Sequence, residues 1–268
     1  MRPMTACAGT IAILLFAAGP SLGADTKSAS APAADTAGTS KVDPDAIAAL
    51  DKMGTELRSH GMFDMKADVT KEDVLDDGQK LTYAGTVQIQ ARRPDRFRIS
   101  VVSDIKDREI FYNGKTVTIY SPRQGYYASF DGASNINDTL KIAEEKYGVE
   151  LPLSDLFRWG TDPAMASRIK SAFLVRPAHI NGQVCNHYAF RGERADFQIW
   201  IQQNGPALPC KLVITNRQDP SMPQYTSVMR WNFPTTIADS TFDFSPSPNN
   251  KKIQMAALVA ERAKGAKP

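Results

Sequence analysis

The chain has 268 residues, and its 32 Lys and Arg against 29 Asp and Glu leave a formal net charge of +3. So even a balance, with both signs interspersed, excludes a dedicated nucleic-acid binder, which concentrates basic residues on one face. It leaves weak attraction to an anionic lipid surface open.

The first 24 residues read as a cleavable export signal. Arg2 is the only charge before the apolar run at residues 12–18. Gly19 and Pro20 break that run, and Ser21-Leu22-Gly23-Ala24 supplies small residues for cleavage. The run falls short of the ~20 apolar residues a membrane span requires. Cys7 precedes the apolar core, so it is not placed as a lipid acceptor. Residues 25–41 are small and polar and read as a disordered linker, because they bury too little surface to offset ordering entropy. Residues 42–255 suit one domain large enough for a core, and residues 256–268 form a helical or flexible tail. The expected product is an exported, periplasmic monomer.

A helix is expected over residues 44–59. Asp43 is its N-cap and Pro44 its first residue, and Ile47, Leu50, Met53 and Leu57 recur at helical spacing. Period-2 alternation then takes over. Phe63, Met65, Ala67 and Val69 share one parity, as do Leu81, Tyr83, Gly85, Val87 and Ile89. Further strands are expected over residues 97–102, 109–112, 116–120, 126–130, 172–180, 184–191, 197–201, 211–215 and 225–231. Asn113-Gly114 and Asn181-Gly182 mark hairpin turns. A second helix over 137–147 places Leu140, Ala143 and Tyr147 on one stripe, and short helices are expected over 153–159 and 163–170. The class is mainly β with helices (α+β). About eleven antiparallel strands curl into a barrel or half-barrel, since a twisted sheet of that width does not stay flat. The helices either plug an ordinary core or form a lid over an apolar cavity.

Catalytic and metal chemistry is missing from the pattern. His60, His179 and His187 are scattered, and there is no Gly-x-Ser-x-Gly, phosphate loop, His-Glu-x-x-His or Cys-x-x-Cys. Cys185 and His187 share a strand face, but two ligands do not make a metal site. No catalytic residue, metal or cofactor is assigned, and the protein is read as a non-enzyme. Cys185 and Cys210 are a possible disulfide pair. A turn at residues 192–195 sets Arg191 opposite Asp196 and Cys185 opposite Gln202, with Cys210 opening the next strand. First and third strands lie about 9.6 Å apart, whereas bridged Cα atoms lie within about 7 Å. Only a strand ending before Gln202, or a bulge, lets the two cysteines meet, so free thiols are the slightly favoured expectation.

Three segments carry a family resemblance. Arg92-Arg93-Pro94-Asp95-Arg96-Phe97 resembles the Lys/Arg-Arg-Pro-x-x-Phe segment of the LolA-like periplasmic lipoprotein carriers. The stretch from Tyr112-Asn113-Gly114-Lys115 to Tyr120-Ser121-Pro122 resembles their Asp-Gly-Lys hairpin ending in Tyr-x-Pro. Phe242-Asp243-Phe244-Ser245-Pro246 resembles their Phe-x-Phe-x-Pro closing strand. The order is the family's, over about residues 42–253. Leu151-Pro152-Leu153-Ser154-Asp155-Leu156 and Phe197-Gln198-Ile199-Trp200-Ile201 look more like predicted periplasmic proteins of unknown function with that same fold.

The resemblance implies an unclosed antiparallel barrel, a helical lid and an apolar cavity for acyl chains. Phe63, Met65, Leu81, Tyr83, Val87, Ile89, Phe97, Ile99, Val101, Leu140 and Leu156 would line that cavity. Arg93 shares parity with Phe97, Ile99 and Val101 and is either the candidate for the cavity rim and a lid contact or an ordinary surface pair. Arg92, Arg96 and Arg98 take the opposite face and read as a solvated strand edge. The implied function is a periplasmic lipid or lipoprotein carrier or chaperone, whose partner is a lipid or an acylated lipoprotein. The alternative is a non-carrier envelope sensor or interaction module, with an envelope protein as partner.

Overall fold

A computed structural model describes residues 42–149, 153, 158–159 and 164–256. The expected signal, linker, Leu156, most of the short helix over 153–159, and the tail beyond residue 256 lie outside the described residues, while the helix expected over 163–170 is a single turn at Ala164–Ser167.

Helix α1 (Pro44–Ser59) starts where its capping chemistry requires, with Asp43 Oδ1 accepting from the Asp45 N–H at 2.9 Å. Its buried stripe is Ala46, Leu50, Met53, Gly54 and Leu57. Next comes a meander of β1 (Met62–Val74), β2 (Lys80–Arg92), β3 (Arg96–Ser103), β4 (Asp107–Asn113), β5 (Thr116–Ser121) and β6 (Tyr126–Asp131). Helix α2 (Ile136–Tyr147) and the single turn α3 (Ala164–Ser167) precede a second meander. That one runs β7 (Ser171–Ile180), β8 (Gln183–Arg191), β9 (Ala195–Gln202), β10 (Pro209–Asn216) and β11 (Gln224–Asn232), and a short β12 (Lys251–Lys252) follows. Among the described residues these strands form one 12-stranded sheet in the order β12-β6-β5-β4-β3-β2-β1-β11-β10-β9-β8-β7. β12 and β7 are its two ends, so the sheet curls without closing.

All eleven alternating strands are present. The two Asn-Gly turns differ in geometry. Asn181 and Gly182 both have positive φ, 50° and 77°, as a two-residue hairpin demands. At the other turn only Gly114 is positive, while Asn113 Oδ1 accepts from the Lys115 and Thr116 N–H groups and serves as the corner.

Two expectations are corrected. Phe242 to Pro246 is not a closing strand. A 3-10 turn (Asp239–Thr241) leads into a segment in which Phe242 is fully buried, while Phe244 packs its ring on Phe111, Tyr120 and Tyr127. This aromatic plug covers the outer face of β4–β6. The strand that pairs with β6 comes later, as Lys251 and Lys252, and its pairing is parallel. Two charged residues carry no alternation to read.

The second correction is the disulfide. Cys185 and Cys210 are bonded, with Cα atoms 6.7 Å apart. The hairpin register is as expected, Arg191 opposite Asp196 and Cys185 opposite Gln202. The register between β9 and β10, however, slips between Pro209 and Lys211. Cys210 sits in that bulge, opposite Trp200 and Ile201 near the end of β9, and so comes within reach of Cys185. The bridge packs with Trp200 and Val213 in a small cluster separate from the main core.

Candidate functional site

The concave face of the sheet is a continuous apolar surface. Met65 faces Ile89, which faces Ile99, which faces Ile110. One row along, Phe63, Ala91, Phe97 and Tyr112 repeat the pattern. Residues directly opposite on paired strands share a face, so these rows form one wall. α1 occupies this wall, with Leu50, Met53 and Leu57 buried against it. Phe63, Met65, Val87, Ile89, Phe97 and Ile99, expected to line a cavity, are thus buried core under α1. Leu140, from α2, is buried in the same core. Leu81, Tyr83 and Val101 lie further along the strands, away from α1, and are only half-buried.

Arg93 lies just past β2, its backbone N–H donating to the Gly61 carbonyl. Its Nη2 donates to the Leu57 carbonyl near the C-terminal end of α1, a long bond at 3.4 Å. Its Nε is buried without a partner. Burial, and then the nearby charge of Arg58, lower the Arg93 pKa, so the cation is poorly accommodated. Arg58 itself donates to the Trp159 carbonyl and, at 3.2 Å, to Thr55 Oγ1. The end of α1 is thus held by two arginines, each donating to a backbone carbonyl.

The other three arginines point outward but are not a solvated edge, because β2 and β3 are interior strands. Arg92 donates to the Ile237 carbonyl and to Asp239, and stacks over Phe242. It thereby fastens the aromatic plug. Arg96 donates to the Asn113 carbonyl, and Arg98 pairs with Glu109 at 2.9 Å. A separate pocket of about 570 Å³ opens between β6, the end of α2 and β12, with Phe130, Asp131, Tyr147 and Lys252 in its lining.

Sequence reasoning passed over the opposite end of the concave face. Arg108 lies opposite Val101, and Tyr225 lies opposite Lys71. Ser227, opposite Val69, is fully buried. The available signal was Arg108 sharing the parity of Ile110 and Tyr112, a charge on the apolar face of a strand. Among the described residues no group of three or more His, Cys, Asp or Glu could hold a metal. No described helix is long and apolar enough to cross a membrane.

Comparison with curated proteins finds no match. Solved structures with a similar fold include the MucA/MucB complex of Pseudomonas aeruginosa, at 16% identity and TM-score 0.41, covering 75% of this chain and 61% of that one. A second MucB structure is covered to 64%, so this chain spans less than two thirds of the MucB chains it matches. The lipoprotein LppX of Mycobacterium tuberculosis has 12% identity and TM-score 0.46, covering 73% of this chain and 100% of that one. The LolA superfamily protein NE2245 of Nitrosomonas europaea has 10% identity and TM-score 0.37, covering 74% and 97%. At the level of sequence, a family model matches residues 46–256, and the chain belongs to that family, described as predicted periplasmic protein (DUF2092).

Proposed function

We propose that this protein binds acyl chains, of a lipid or a lipidated protein, on the concave face of its half-barrel, as a periplasmic carrier or chaperone. The observation that carries this reading is α1 seated on an apolar wall and latched at its end by an under-satisfied Arg93. Burial of Leu50, Met53 and Leu57 contributes about 1.5–3 kcal/mol each. An acyl chain of ~14 methylenes offers about 0.8 kcal/mol per methylene, ~11 kcal/mol in all. By these figures the acyl chain gains a few kcal/mol more than the three helix side chains it replaces. A contribution of ~1 kcal/mol from one hydrogen bond shifts that exchange about 5-fold. Displacing α1 opposes loading and favours release, as a carrier requires.

Arg93→Leu removes the latch and is expected to retain about 5-fold more lipid, the equivalent of one hydrogen bond. Arg96→Leu, on the outer face, leaves retention unchanged. The measurement is native mass spectrometry of each variant purified from its own envelope. Equal lipid in the parent and both variants would remove the latch, and no bound lipid in any of them would remove the carrier.

A second reading, an envelope interaction module, is favoured by the end strand β7. Phe173 and Leu174 are about half exposed there, at 50% and 48%, and Val175 beside them is 42% exposed. A protein mass instead of a lipid mass in the same spectra supports that reading.

A further inference from the structure

The concave wall is apolar under α1 but changes character along the strands. On β1, buried Phe63, Met65 and Ala67 give way to half-buried Val69 and then exposed Lys71. On β3, buried Phe97 and Ile99 give way to half-buried Val101, with Arg108 beside it on β4. Lys106 stands in the turn between β3 and β4. Lys71 pairs with Asp73 at 2.6 Å. Among the described residues, neither the Arg108 guanidinium nor the Lys106 ammonium has a carboxylate partner.

Arg108 and Lys71 are close enough to Lys106 to disturb it. Partial burial lowers the Lys106 pKa, and the charges of Arg108 and Lys71 lower it further. Burial alone lowers that of Arg108. Like charges gathered beside an apolar wall, two of them without a counter-ion, destabilise the protein by itself. Deeper on the same face, Ser227 is 0% exposed, and its Oγ and the Tyr225 Oη have no partner but each other. Burial pushes the Tyr225 hydroxyl up to about 12, so it stays protonated and able to donate. Buried hydroxyls with so few partners are costly and rare.

We propose that this end of the concave face holds the phosphate headgroup of an anionic, acyl-chain lipid, with Arg108 and Lys106 binding the phosphate oxygens. The inference rests on the acyl-binding reading above and names the class of lipid. A guanidinium fork suits two phosphate oxygens at once, and the Lys106 ammonium adds a movable point charge. The Tyr225 and Ser227 hydroxyls, across β3, β2 and β1 from Arg108, add polar contacts at the same end of the wall. From Val69 to Phe63 the wall runs six residues, ~20 Å at about 3.3 Å per residue. One acyl chain spans half of the ~30 Å hydrocarbon core of a bilayer, about 15 Å, and fits that length. The chain's methyl end then reaches the part of the wall that α1 covers.

The test uses two single-chain lipids with the same palmitoyl tail, lysophosphatidylglycerol (anionic) and lysophosphatidylcholine (zwitterionic), titrated below their micelle concentrations. The parent protein is expected to bind the anionic lipid about 10-fold more tightly, the scale of one charge-assisted hydrogen bond. Arg108→Gln/Lys106→Gln should bring the anionic lipid down to the level of the zwitterionic one and leave the latter unchanged. Millimolar inorganic phosphate should displace neither. Equal binding of the two lipids by the parent overturns the headgroup site while leaving acyl binding intact, and needs no variant to fold. A preference that survives the double substitution, or displacement by inorganic phosphate, also overturns it. Binding of neither lipid overturns the acyl-binding reading itself.

Discussion

The Cys185–Cys210 bridge closes a loop with a sequence separation of 25. In the chain-entropy model a loop of that size stabilises the folded state by about 3.5 kcal/mol. Both cysteines are buried in the cluster with Trp200 and Val213, so replacing them also loosens packing, and the estimate is a lower bound. For Cys185→Ala/Cys210→Ala, with a urea m-value near 3 kcal/mol/M, the unfolding midpoint falls by about 1 M or more. The assay is equilibrium urea unfolding of parent, reduced parent and double variant, followed by fluorescence and circular dichroism together. The reduced parent isolates the cross-link, since it keeps both sulfur atoms. Coincident midpoints for oxidised and reduced parent would refute the reasoning. So would two titratable thiols in oxidised parent under denaturing conditions, because the bulge at Cys210 would then not deliver the bond.

His187 stacks on Trp200 at 3.9 Å, and burial is the main cause holding its pKa below the usual value. The unfolded chain therefore takes up a proton that the folded imidazole resists. Stability is fully present above about pH 6.5 and falls as pH drops below it, levelling off under the folded pKa. Melting temperatures at pH 7.5 and 5.5 should differ more for the parent than for His187→Gln; equal differences would discount the residue. Gly54 on α1 approaches the Trp159 carbonyl so closely that an added Cβ would lie 2.8 Å from it. Gly54→Ala should destabilise by about 1–3 kcal/mol, outweighing its ~1 kcal/mol gain in helix propensity, and speed tryptic cleavage after Arg58. An unchanged cleavage rate would mean that the seat of α1 does not depend on this contact.

Alternation and capping made most of the scaffold legible. The stripe of Leu50, Met53 and Leu57 and the parity of Phe63, Met65, Val87 and Ile89 specify one wet and one dry face without tertiary information. The disulfide was not legible, because a one-residue bulge at Cys210 leaves no mark in composition. Phe242 and Phe244 were expected in a closing strand only from the resemblance, and a Phe-x-Phe-x-Pro pattern fits a plug laid over a sheet as well as a strand within one. The arginines show the same limit. Parity sorts Arg93 from Arg92 and Arg96, but the partner of Arg92, Asp239, is 147 positions away. Arg108 was hidden because Ile110, Phe111 and Tyr112 run together and blur the alternation it interrupts.

The seam between β1 and β11 also bears on how the chain finds its fold. Every other antiparallel pair joins strands consecutive in the chain, so each meander zips up through short loops. The seam brings together Asp68 and Arg230, 162 positions apart, in a pair at 2.8 Å. Closing so long a loop costs more entropy than any hairpin and is repaid only once both halves exist. The two meanders are therefore expected to form first and dock last, leaving the edges of β1 and β11 briefly unpaired. Substitutions along that seam should slow folding more than equally destabilising ones inside either meander, if docking limits the rate.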